Sequence, residues 1–251
     1  MLSTRSMENV MTTISITHPQ LVAKLVKSPL LIIETLTPFS VDLWHGATGV
    51  AGEAGELLEA ILYVKPEEVD RVNIREELGD LFFYMEQIVQ RSGIAIDWDG
   101  ADEIARHAII SPDQILPVGA SLAIHASQVL DSIKKVALYN KPLDQELLTN
   151  QMGALAASAI TLGYMFGLAH HECLAANIVK LSKRYASLSY SDQQAQDRAD
   201  KVQPPEGIIP GRKYFSGDIP VLPAETKDVV QPHIPRTADM QDIADAEKRS
   251  Q

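Results

Sequence analysis

Residues 38–64 read PFSVDLWHGATGVAGEAGELLEAILYV, and the fold is decided there. Leu43, Trp44, Ala47, Val50, Ala51, Ala54, Leu57, Leu58, Ile61 and Leu62 recur at spacings of three and four, the period of one face of a helix. Thr37-Pro38 opens the segment with a capping residue and a ring preset for the first turn, and Lys65-Pro66 stops it. Gly46, Gly49, Gly52 and Gly55 stand three apart inside it, each costing about 1 kcal/mol against Ala in a helix. Such a stripe predicts close approach by another backbone; a kink, or a ligand lying against it, is the other reading.

Working outward, a second helix follows with Asn73 as its expected N-cap and Glu76 completing a capping box. Its apolar face is Ile74, Leu78, Leu81, Phe82, Met85, Ile88 and Val89, and Ser92-Gly93 ends it. Residues 116–138, 144–166 and 169–186 read as three more helices, separated by Lys141-Pro142 and Gly167. No stretch alternates β-branched residues, so the fold class is all-α.

The 251 residues carry 22 Lys+Arg against 33 Asp+Glu, a net charge of −11 with no basic run, which argues against a protein that grips nucleic acid through its phosphates. One cysteine, Cys173, excludes a disulfide scaffold and points to a reducing, cytoplasmic setting. His170-His171 has no further His or Cys at ligand spacing, which speaks against zinc. There is no uninterrupted apolar run of 18 residues, and hence no expected membrane span. Half of the 14 prolines fall between Gln203 and Pro235, where an extended C-terminal arm is expected.

Sliding the chain against itself exposes a duplication. Asp70 meets Asp144, Gly79 meets Gly153, Tyr84 meets Ser158 and Gly93 meets Gly167 at one offset of 74, which shortens upstream to 72, where Glu56 meets Gln128. Each half is a helical hairpin followed by a shorter helix. The expected organisation is an N-terminal segment (1–36), a first repeat (37–112), a second repeat (113–202) and the Pro-rich arm (203–251).

The halves differ where chemistry would sit. In the first, Glu53 and Glu56 share one helix face and Glu77 and Asp80 share another. Antiparallel packing lets the four carboxylates converge, an oxygen-only donor set suited to a hard divalent cation that bridges to phosphates. In the second half the matching residues are His125, Gln128, Gln151 and Ala154, and all four acids are gone. Solvated acidic faces are the competing reading, which the selective loss in one half disfavours.

With its ExxE pair at Glu53 and Glu56, its ExxD pair at Glu77 and Asp80, and the flanking Leu43-Trp44-His45-Gly46-Ala47 and Leu81-Phe82-Phe83-Tyr84, the chain resembles the MazG-like, all-α nucleoside triphosphate pyrophosphohydrolases. The resemblance, over roughly Phe39 to Lys201, implies a four-helix-bundle pseudodimer that hydrolyses the α–β phosphoanhydride of a nucleoside triphosphate, a dNTP in the reading preferred here, with Mg²⁺ or Mn²⁺ as cofactor. It makes Glu53, Glu56, Glu77 and Asp80 metal ligands, with Glu53 or Glu56 as general base. Ala176 to Tyr185 looks like the family's terminal helix, implying substrate contacts from Asn177, Lys180 and Arg184; Lys134 stands where relatives carry a lysine pair, and His45 is a further candidate. Trp44, Phe82 and Phe83 are expected in the core. A second copy of the chain is a possible partner, and a silent nucleotide sensor or a phosphoribosyl-ATP pyrophosphohydrolase are the alternative readings.

Overall fold

A computed structural model describes residues 16–63, 65–108 and 111–200. The expected Pro-rich arm and the first 15 residues of the N-terminal segment lie outside the described residues. Helices alone form the regular structure among them: α1 (His18–Leu25), α2 (Pro29–Thr35), α3 (Pro38–Leu62), α4 (Arg71–Ser92), α5 (Trp98–His107), α6 (Ile115–Tyr139), α7 (Gln145–Met165), α8 (His170–Arg184) and α9 (Asp192–Asp197).

Helix α3 starts where its sequence demands. The Thr37 hydroxyl accepts from the backbone N–H of Ser40, the Ser40 side chain answers to the N–H of Thr37, and Pro38 occupies the first turn. Helix α4 departs from expectation: its N-cap is Asp70, whose carboxylate accepts from the amides of Val72 and Asn73, so Asn73 lies inside the first turn rather than before it. Asp and Asn cap equally well, and the helix extends to the earlier of the two. Gly93, at φ 73°, closes α4 in the left-handed conformation that the absence of a side chain permits.

The four long helices make an antiparallel bundle. Along α3 and α4, Asp42 meets Gln87 and Arg91, and Gly46 meets Ile88. The start of α6 lies on the end of α3, where Gly119 faces Ile61, while Thr35, just before α3, donates to the carbonyl of Ala137 near the end of α6. Gln145 at the start of α7 donates to the carbonyl of Ser92, and Arg71 at the start of α4 donates to that of Gly167 beyond α7. The apolar faces read from the sequence fill the interior: Leu43, Leu57, Ile74, Leu78, Leu81, Met85, Ile88, Leu122, Ile133, Leu148, Met152 and Leu155 are fully buried. No single described helix is long and apolar enough to cross a membrane.

The short helices cross over. α5, which follows α4, lies against α7; α8, which follows α7, lies against α4. That exchange brings the end of the second half to the acids of the first.

Candidate active site

At the face where α3, α4 and α8 meet, a cavity of about 1150 Å³ opens. Its walls include His45, Glu53, Glu56, Glu77, Asp80, Asn177, Lys180 and Arg184. Eight of the nine residues singled out from the sequence are thus brought together. The ninth, Lys134, is exposed on α6 and is not among the lining residues.

Close helix packing makes the arrangement possible. A Cβ on Gly79 would lie 2.9 Å from the Cβ of Asn177 and 3.0 Å from the carbonyl oxygen of Cys173, so only glycine lets α8 sit this near α4. One residue further along, the carboxylate of Asp80 accepts a 2.7 Å hydrogen bond from Asn177 Nδ2 and an ion pair from Lys180. Lys180 is 9% and Asp80 22% exposed, so this is a largely desolvated pair whose members depend on each other. The glycine stripe divides. Ile88 and the Tyr84 ring occupy the space a side chain would need at Gly46 and Gly49, whereas Gly52 and Gly55 face open space. Close approach accounts for the first two only, and mainly through side chains.

Glu53, Glu56 and Glu77 each offer a carboxylate oxygen, all within 4.8 Å of one another. Glu56 is exposed and the other two half-buried, so the cluster is open on one side. Burial, with the charges of Asp80, Glu77 and Glu56 around it, pushes the Glu53 carboxyl up to about 8. Burial raises Glu77 as well, against a hydrogen bond from Glu53 that favours its ionised form. Burial and the neighbouring charges thus favour a proton shared between Glu53 and Glu77. Three carboxylates held this close without a cation are electrostatically costly, and an all-oxygen donor set fits a hard divalent ion.

Sequence reasoning missed other lining residues. Phe83, expected in the core, is 48% exposed and lines the cavity, while Phe82 is buried and Trp44 packs against the core. One position of helical rotation separates the two phenylalanines, enough to move a ring from the bundle interior to the cavity wall. Tyr84 lies edge-on to His45 at 5.8 Å, and Gln87 is 3.2 Å from His45 Nδ1. Tyr185, Leu188, Tyr190 and Arg198 line the opposite side. The i, i+3 and i+4 spacing of Phe83 and Tyr84 to Asp80 was the available signal for those two; for the stretch after α8, whose residues show no apolar period, there was none.

Cys173 is buried on α8 and its thiol is pushed up to about 11 by burial, a packing residue without reactive character.

No curated protein and no solved structure matches the chain. Residues 47–105 match the family model described as the MazG nucleotide pyrophosphohydrolase domain, a span that holds all four acids and runs from α3 into α5. In that span, within an all-helical architecture, the chain is similar to the MazG nucleotide pyrophosphohydrolase domain.

Proposed function

We propose that the chain is a divalent-metal-dependent nucleoside triphosphate pyrophosphohydrolase, with a 2′-deoxynucleoside triphosphate as substrate and Mg²⁺ as the metal. The MazG domain supports nucleotide pyrophosphohydrolase activity in general. The observation that carries the reading is the meeting of the Glu53, Glu56 and Glu77 oxygens in a cavity that also presents Asn177, Lys180 and Arg184.

In this reading Glu53, Glu56 and Glu77, with Asp80 beside them, hold the metal, which when bound neutralises phosphate charge and acidifies water. Glu53 or Glu56, in its ionised form, takes the proton of the water that attacks the α-phosphorus; the bond from that phosphorus to the bridging oxygen breaks, leaving nucleoside monophosphate and pyrophosphate. Asn177 and Lys180 orient the Asp80 carboxylate. The apolar flank formed by Phe83, Ile178, Leu181 and Leu188 supports a sugar lacking one hydroxyl. Residues 37–112 then act as the acid-bearing unit and 113–202 as the unit that completes it with α8.

Turnover of the eight common NTPs and dNTPs with and without Mg²⁺, products separated by chromatography, tests this. Monophosphate plus pyrophosphate, formed only with metal and lost in Glu53→Gln/Glu56→Gln, is expected. Monophosphate with two orthophosphates, or turnover indifferent to the acids, would overturn it.

A further inference from the structure

The stretch that follows α8 shapes the same cavity. From Ala186 the chain turns, forms α9 and returns to Arg184, whose Nε donates to Asp200 Oδ1 at 2.7 Å and whose terminal nitrogen donates to Oδ2 at 2.8 Å. The Asp200 side chain is 1% exposed and that of Arg184 15%, so the two form a buried, two-pronged clasp. The guanidinium holds the Asp200 carboxyl down at about 2.

Two things follow for the cavity. First, the cations expected to meet phosphate are already engaged, Lys180 by Asp80 and Arg184 by Asp200. A triphosphate needs positive charge that is not tied up. Second, the clasped strap delivers one. Arg198 lines the cavity, and among the described residues no hydrogen bond or ion pair takes up its guanidinium, whose charge reaches Asp200 only at longer range. Its backbone is left-handed at φ 45° where it caps the end of α9, its N–H donating to the carbonyl of Gln194.

We propose that the strap Ala186–Asp200 is a substrate-binding wall, with Arg198 as a phosphate-contacting residue and Asp200 as the residue that positions it through Arg184. This rests on the pyrophosphohydrolase reading and adds a segment outside the residues matched to the MazG domain.

The test uses the full chain, Mg²⁺ and an α,β-methylene nucleoside triphosphate as a non-hydrolysable probe, alongside steady-state kinetics. Arg198→Ala is expected to weaken probe binding about tenfold or more, as loss of a charge-assisted contact should. KM rises more than kcat falls, binding of the corresponding monophosphate barely changes, and Arg198→Lys restores much of the loss. Asp200→Asn is expected to raise KM in the same direction, with Asp200→Glu recovering part of it. Unchanged probe affinity and KM in Arg198→Ala, with an active wild type, would overturn the strap and leave the function standing. A wild type that neither binds the probe nor turns over nucleotide would remove both.

Discussion

The acid cavity on α3 and α4 and the groove on α6 and α7 make opposite use of long amphipathic helices. Around the first, α3 and α4 hold Glu53, Glu56, Glu77 and Asp80, and α8 closes in so tightly that Gly79 has no room for a methyl group. On the other side, α6 and α7 flank a groove of about 600 Å³ whose walls include Leu58, Ile124, Gln128 and Gln151. His125, opposite Glu53 in the alignment, is 3.0 Å from the hydroxyl of Ser158, and Gly153, opposite Gly79, has open space before it. On α5 the counterpart of Lys180, Arg106, turns to Asp102 four residues back on its own helix. Both halves pack an apolar interior, so the bundle does not need Glu53, Glu56 or Glu77. A cluster in which burial and like charge drive a carboxyl up to about 8 is a burden on stability.

That contrast breaks most visibly in catalysis. Glu56→Gln or Glu77→Gln is expected to lower turnover on the order of a hundredfold or more, while the melting temperature stays level or rises as repulsion is relieved. Steady-state assay and calorimetry on the same samples check both halves of the statement, and a lowered melting temperature would mean that the acids serve the fold. Next in size is the glycine pair. Gly79→Ala should cost about 1–3 kcal/mol through overpacking against Cys173 and Asn177, whereas Gly153→Ala should be neutral or stabilise by up to about 1 kcal/mol. Urea titrations of the two variants measure the difference directly.

A smaller effect follows from grafting the acids across. His125→Glu with Gln128→Glu and Gln151→Glu should destabilise by roughly 1–2 kcal/mol from clustered like charge, without a second round of metal-dependent turnover, because α5 brings no amide and lysine to the groove. The smallest is a pH slope. Between the ordinary carboxylate range and about 8 the folded chain keeps a proton on Glu53 that the unfolded chain has released, so stability falls as pH rises through that window and levels above it. Glu53→Gln should flatten the slope. Uptake of Mg²⁺ by the wild type near pH 7 should release protons, measurable by calorimetry in buffers of different ionisation enthalpy.

Much of this could be read from the chain alone, because helix starts, stops and faces are local properties. Thr37-Pro38 and Gly93 act as their types require, and the three-residue spacing of Glu53 with Glu56 and of Glu77 with Asp80 fixed which faces could converge. What failed was either a choice between equivalents or a matter of long-range contact. Asp70 and Asn73 are both good caps, and composition cannot rank them. Phe82 and Phe83 are identical in chemistry and differ only in which side of α4 they occupy. The strap is Ser-, Asp- and Gln-rich, with no period of its own; its place is set by Arg184 meeting Asp200 across 16 residues. The helices before α3 were similarly silent, since the ties at the far end of α6 are long-range, Thr35 donating to Ala137 and Lys27 to Leu138.

The crossing of the short helices has a further consequence, for cooperativity. Each hairpin relies on the other's trailing helix to cover it, so neither half has a complete interior of its own, and the chain should melt in a single transition rather than two. A fragment limited to residues 47–105 would carry every acid yet lack Asn177 and Lys180, which reach Asp80 from 97 and 100 positions away. Cut the chain between α5 and α6, and the two pieces should recover a working cavity only when mixed.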